Sequence, residues 1–139
     1  MKSLCKLVVT MVTLLSAMPL SAQIGNGVDF TTSFPFFAGN TKLPAGSYKV
    51  IETNLDPTIL LIESTNGVHS VYLDITPTET EQPHPQSNVT FHKYGGIDYL
   101  NQIWVQGERS GMQADPTKAE KKAAASASAE DHSVPAKKR

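Results

Sequence analysis

The stretch that decides the fold runs from Thr58 to Thr76, TILLIESTNGVHSVYLDIT, where two strand-like runs flank Asn66-Gly67. Asn-Gly between apolar runs is a strong hairpin signal, because both central residues of a type I′ turn need positive φ. A two-residue loop here pairs Thr65 with Val68 and fixes the register of the two strands. That register places Leu60 opposite Leu73, Leu61 opposite Tyr72, Ile62 opposite Val71 and Glu63 opposite Ser70.

Both faces of this predicted hairpin carry apolar side chains. Leu60 and Ile62 lie on one face, whereas Leu61 and Tyr72 lie on the other. A strand that is apolar on both faces is typical of a sheet covered on both sides. The hairpin therefore predicts a central position in a small sandwich or barrel.

The rest of the chain also favours strands, because β-branched and aromatic runs alternate with Gly, Pro and Asn. Gly95-Gly96 predicts a second tight hairpin, with Phe91 opposite Leu100, His92 opposite Tyr99 and Lys93 opposite Asp98. The candidate strands are Val28 to Phe37, Ser47 to Thr53, Thr58 to Thr65, Val68 to Thr76, Asn88 to Tyr94 and Ile97 to Gln106. The expected fold is mainly β, a small antiparallel β-sandwich or partly closed barrel of about six strands, with a short C-terminal helix and a disordered tail.

The N-terminus has the pattern of a secretory signal peptide. Lys2 and Lys6 precede an uncharged apolar run from Leu7 to Leu20, and Ser21-Ala22 supplies small residues for cleavage. The run is shorter than the ~20 residues that span a bilayer. We predict a signal peptide over residues 1–22, cleavage between Ala22 and Gln23, export to the periplasm or the medium, and no stable membrane span after its removal. The alternatives are a buried N-terminal helix or a retained anchor.

The net charge and the cysteine content argue against two classes of function, nucleic-acid binding and catalysis by a cysteine. The formal net charge is −1, so the chain lacks the positive surface charge that a nucleic-acid-binding protein needs. The one cysteine, Cys5, precedes the apolar run, so the mature chain has no disulfide and no thiol for catalysis.

The C-terminal residues differ in composition from the β domain predicted over residues 23–113. Thr117 and Glu120 form a capping-box pattern at the start of an Ala- and Lys-rich run. We predict that residues 114–139 form a helix, which extends to about Ala129, and a disordered tail from Asp131 to Arg139.

Several segments together resemble small secreted proteins of unknown function that are numerous in acidobacteria. They are Pro35-Phe36-Phe37-Ala38-Gly39-Asn40, Leu43-Pro44-Ala45-Gly46-Ser47-Tyr48, Val89-Thr90-Phe91-His92-Lys93-Tyr94-Gly95, Ile103-Trp104 and the Thr117-to-Glu120 box. The resemblance covers roughly Phe34 to Ala125 and implies a compact secreted β domain. It implies no activity, cofactor or catalytic residue.

Side chains that carry chemistry are sparse. The four histidines show no metal-ligand spacing, and only His84, beside acidic residues, suggests even a weak surface metal site. No Gly-x-Ser-x-Gly motif is present. We therefore predict no catalytic residue, no cofactor and no resident metal, and the candidate binding face is His92, Tyr94 and Tyr99 on the second hairpin.

These observations favour a non-enzymatic exported protein that binds an envelope glycan or protein, or forms part of the envelope. One alternative is a small secreted hydrolase or metal-dependent enzyme that uses His92 with nearby carboxylates. Another is an extracellular adhesion or matrix protein that associates through an exposed sheet edge.

Overall fold

The computed structural model describes residues 27–53 and 56–139. The predicted signal peptide and its cleavage site between Ala22 and Gln23 lie outside these residues. The described part contains ten strands and one helix: β1 Val28–Thr32, β2 Phe36–Ala38, β3 Thr41–Leu43, β4 Gly46–Glu52, β5 Ile59–Ser64, β6 Ser70–Glu79, β7 Asn88–Tyr94, β8 Ile97–Trp104, β9 Ser110–Ala114, α1 Lys118–Ser126 and β10 Glu130–Lys138.

The register of both predicted hairpins is confirmed. Leu60 pairs with Leu73 between β5 and β6, and Phe91 pairs with Leu100 between β7 and β8. Gly95 and Gly96 both have positive φ, 56° and 82°, as a type I′ turn requires.

The loop of the first hairpin differs from the predicted type I′ turn. Among the described residues only glycines have positive φ, so Asn66 stays on the negative side while Gly67 has a φ of 75°. The Gly67 amide donates to the Ser64 carbonyl, and the Ser64 amide donates to the carbonyl of His69. Asn66 Oδ1 instead accepts hydrogen bonds from Val68 N and Ser64 Oγ, which locks a four-residue loop with the same strand register.

Eight of the described strands close into an antiparallel barrel in the order β8-β7-β10-β1-β4-β5-β6-β9, with β9 pairing back onto β8. The short strands β2 and β3 are additional, because β2 pairs in parallel with β8 through Phe37 and Tyr99 and β3 pairs with β2. The mainly β antiparallel class is confirmed, but the predicted number of about six strands is too low. Closure removes the free edges of an open sheet and explains why so many short strands are stable together.

The predicted disordered tail is wrong, because residues 130–138 form β10. This strand fills the gap between β7 and β1, pairing with β7 from Glu130 to Pro135 and with β1 from Ala136 to Lys138. Its own sequence has little strand preference, so the stability of β10 comes from two neighbouring strands whose backbone groups would otherwise lack partners.

The barrel interior is filled by side chains, with a cluster of aromatic rings at its centre. Phe36 lies at ring-centroid distances of 5.3 Å from both Phe91 and Tyr48, each in an edge-to-face arrangement. The Tyr48 hydroxyl donates to the Pro44 carbonyl at 2.5 Å, which satisfies its polar group in the core. These side chains belong to the hydrophobic core of the described part of the chain.

The outer surface of the β4-β5-β6 sheet is open, in contrast to the predicted cover on both sides. Tyr72 is 69% exposed, and Leu61 beside it is only half-buried. The outer surface near the start of β7 is covered, because His84 packs edge-on against Trp104 at 4.1 Å.

Helix α1 begins after its N-cap Thr117, as predicted, but ends at Ser126 rather than near Ala129. Thr117 Oγ1 accepts a hydrogen bond from Glu120 N at 3.2 Å. Glu120 is the one buried residue of the helix, and most of the others are exposed. None of the helices in the described part of the chain is long and apolar enough to cross a membrane.

Candidate functional site

The three predicted site residues lie together on the outer surface of the second hairpin. His92 pairs with Tyr99 across β7 and β8, and the Tyr94 ring lies 5.9 Å from His92 and 6.0 Å from Tyr99. Tyr99 is only 6% exposed, because Phe37 of β2 stacks on it at 5.4 Å. His92 and Tyr94 are therefore the more accessible members of the set, whereas Tyr99 is covered by Phe37.

Helix α1 turns this surface into a cleft. The space between the helix and the outer surface of β7, β8 and β9 measures 260 Å³ and opens to solvent. The cleft is lined by His92, Tyr94, Asn101, Gln113, Ala114, Pro116, Glu120, Lys121 and Ala124.

Glu120 is the residue of this cleft that sequence reasoning did not assign to a site. Its side chain interacts with the backbone of Thr117, as a capping box requires, and also lines the cleft. The residue is 9% exposed, and its carboxylate interacts with the backbone amide of Thr117 and lies near His92. The capping pattern accounts for a glutamate at this position, so the sequence carried no separate signal for a binding role.

Burial in this position changes the acid–base properties of the cleft. Desolvation raises the pKa of Glu120 above its ordinary value, and the nearby His92 acts in the opposite direction. The pKa of the Tyr94 hydroxyl is also raised, first by desolvation and then by the negative charges of Glu120 and Asp131. The cleft thus contains a poorly solvated hydrogen-bond acceptor, whose desolvation His92 and the Thr117 amide offset only in part.

The orientation of His92 is set from the neighbouring strand. Its Nδ1 contacts the Asp131 carboxylate of β10, directly across the strand pair. The Asp131 side chain is 70% exposed, whereas that of His92 is 26% exposed. Because Asp131 occupies Nδ1, the other ring nitrogen, Nε2, is the one left for a ligand.

A second histidine–carboxylate pair lies on the inner surface of the barrel. His132 Nε2 is 2.5 Å from Asp98 Oδ1, and the His132 ring lies 4.9 Å from Phe34 and 5.7 Å from Phe91. Asp98 therefore bonds to β10 as well as facing Lys93 in the predicted register. This pair has aromatic rings rather than a cleft around it, and its evident role is to fasten β10 to β8.

The other histidines do not assemble a metal site. His84 packs on Trp104, and His69 lies at the end of the first hairpin. In the described part of the chain, no group of three or more His, Asp or Glu side chains is placed to hold a metal ion.

The arrangement in the cleft is suited to hydrogen bonding of a small molecule. The chain matches no protein-family model, no curated protein and no solved structure. The functional interpretation therefore depends on the residues of the cleft themselves.

Proposed function

We propose that this chain is an exported, non-enzymatic binding protein whose ligand site is the cleft between α1 and the outer surface of β7, β8 and β9. Export is supported by the signal-peptide pattern over residues 1–22. The resemblance to small secreted proteins is in keeping with this proposal and adds no activity to it.

The observation that carries the proposal is the Glu120 carboxylate. Glu120 is 9% exposed, and the loss of hydration of its carboxylate outweighs the compensation from the Thr117 amide and from His92, so its pKa stays above the ordinary value. A ligand that donates hydrogen bonds to this carboxylate would supply the rest of the compensation, and the aromatic and amide groups around it would fix the ligand's orientation.

Binding is better supported than catalysis by the composition of the cleft wall. It contains no serine, threonine or cysteine to act as a nucleophile, and Tyr94, its only hydroxyl-bearing residue, has a raised pKa that opposes ionisation. The edges left open among the described strands are short, such as the three residues of β3, and offer little surface for the adhesion alternative.

The test is a thermal-melt screen of the purified protein against sugars, amines, organic acids and divalent metals. A ligand specific for the folded state raises the melting temperature in proportion to the logarithm of its concentration above Kd. The shift should disappear in Glu120→Ala and persist in Glu81→Ala, a matched change at an exposed glutamate. A shift that survives Glu120→Ala would place the ligand elsewhere and refute the proposal.

Export has its own test. Expression of the full chain in a Gram-negative host, followed by fractionation and N-terminal sequencing, should give a periplasmic or extracellular product that begins at Gln23. A product that retains residues 1–22 in the membrane fraction would favour the anchor alternative.

A second candidate function rests on the contact between Asp131 and His92 Nδ1. A carboxylate at Nδ1 holds an imidazole in the orientation of a general base, and Glu120, with its raised pKa, is suited to act as a general acid. Hydrolysis by a water molecule activated at His92 Nε2 is therefore the alternative. Turnover of an ester or glycoside that is lost in His92→Ala, with an unchanged melting temperature, would favour the enzyme over the binding protein.

A further inference from the structure

We propose that the ligand of the cleft is a neutral sugar in its pyranose ring form, an inference that rests on the proposed binding function. The side chains that line the cleft, their charges and the size of the space all suit such a ligand.

The polar groups of the cleft are mixed donors and acceptors. Glu120 supplies an acceptor only, Lys121 a donor only, and the amides of Asn101 and Gln113 supply both. A sugar hydroxyl also donates one hydrogen bond and accepts others, so adjacent hydroxyls can satisfy both kinds of group at once. A ligand that only donates or only accepts would leave part of this set unpaired, at a cost for each buried group.

The charges of the cleft disfavour ionic ligands of either sign. An anion would lie beside the desolvated carboxylate of Glu120. A cation would meet the Lys121 ammonium on the same wall, together with His92 when it is protonated. Glu120 and Lys121 have opposite formal charges, so a neutral ligand that bonds to both loses nothing to repulsion.

The apolar part of the wall suits the carbon face of a sugar ring. Tyr94 provides an aromatic surface, and Ala114, Pro116 and Ala124 complete the apolar lining. A pyranose has C–H groups on its ring faces and hydroxyls at its rim, which matches a wall with an aromatic ring and polar groups around it.

The space also limits the size of the ligand. At 260 Å³ the cleft lies just below the ~300–1,000 Å³ range that is typical of sites for drug-sized molecules. One sugar ring is of the right size, whereas a longer chain would extend through the open side into solvent.

The test is isothermal titration calorimetry of the purified protein with defined probes. The neutral probes are the methyl glycosides of glucose, galactose, mannose and N-acetylglucosamine; the cationic probes are tetramethylammonium and n-butylamine; the anionic probes are acetate and sulfate. At least one glycoside should bind saturably, and Glu120→Ala should weaken it about tenfold or more, as expected for a hydrogen bond to a charged group. Glu81→Ala should leave the affinity unchanged.

Binding of a tetrasaccharide of the preferred sugar shows whether the natural ligand is a polysaccharide or a single sugar unit. Tighter binding of the tetrasaccharide than of the methyl glycoside indicates a polymer as the source, and equal binding indicates a free sugar or a chain end. Either result supports the inference.

Other outcomes overturn it in distinguishable ways. If a cationic or anionic probe binds, is weakened by Glu120→Ala and excludes every glycoside, the sugar inference is wrong while the binding function stands. If no probe binds the folded protein at millimolar concentration, or if Glu120→Ala and Tyr94→Ala both leave glycoside binding unchanged, the assignment of the cleft fails as well. Circular dichroism of each variant shows that loss of binding is not loss of folding.

Discussion

Truncation of two adjacent leucines on β5 tests which side of the first hairpin faces the interior. Leu60 is 1% exposed in the core, whereas its neighbour Leu61 points outward beside the 69%-exposed Tyr72. Leu60→Ala removes buried methyl groups and leaves a cavity, which costs about 2–5 kcal/mol. Leu61→Ala removes partly hydrated surface and leaves no enclosed cavity, so its cost is about 1 kcal/mol or less.

These costs predict clearly different melting temperatures. With about 4 °C for each kcal/mol in a domain of this size, Leu60→Ala lowers the melting temperature by about 8–20 °C and Leu61→Ala by about 4 °C at most. The assay is urea unfolding followed by circular dichroism, together with thermal melts, for wild type and both variants. Equal losses, or a larger loss for Leu61→Ala, would show that the orientation of β5 in the barrel is wrong.

Three further predictions concern β10, the cleft and the outer surface. Deletion of residues 130–139 removes the strand between β1 and β7, so the protein should lose its cooperative thermal transition; a sharp melt near the wild-type temperature would contradict the eight-stranded closure. Because burial raises the pKa of Glu120 above its ordinary 4.5, its stabilising contribution is full below that value and is lost as the pH rises through the folded-state pKa. Glu120→Gln should therefore increase the free energy of unfolding at neutral pH and flatten its pH dependence above 4.5. Denaturant titrations of wild type and variant across that range measure this, and identical pH profiles would show that the carboxylate is solvated. Gly111→Ala should lower the free energy of unfolding by about 1–3 kcal/mol, because a Cβ there would lie 2.4 Å from a ring carbon of Trp104. Trp104 is the only tryptophan in the sequence, so its fluorescence reports any movement of the ring. Unchanged emission and unchanged stability would mean that Gly111 and Trp104 do not pack against each other.

Local turn chemistry explains why the hairpin registers were predictable from the sequence. Gly95-Gly96 adopts the positive φ angles of its turn, and the register of β7 and β8 follows from it. At Asn66-Gly67 the register holds although the turn type differs, since Asn66 closes a longer loop through its side chain.

Features that depend on distant partners were not predictable in the same way. Strand β10 contains Pro135 and several charged residues, and it is ordered only because β7 and β1 pair with it from both sides. Both faces of β5 are apolar, so the sequence alone could not decide which face is covered.

The candidate site was predictable only where it depends on the register of the second hairpin. The hairpin register brought His92 and Tyr94 to one surface of the sheet, and the structure places both beside the cleft. The cleft beside Glu120 arises from the position of α1 relative to β7, β8 and β9, and the helix has no stripe of large apolar side chains from which the sequence could have indicated that position.

The central claim is that a ligand binds in the cleft beneath α1. The most direct measurement is a titration of the ¹⁵N-labelled protein with the tightest-binding probe, followed by two-dimensional NMR. The account predicts saturable shifts confined to the amides around His92 to Tyr94, Gln113 and Glu120 to Ala124, with the amides near Tyr72 unmoved. Shifts clustered on the open surface around Tyr72, with the amides of α1 unchanged, would contradict it.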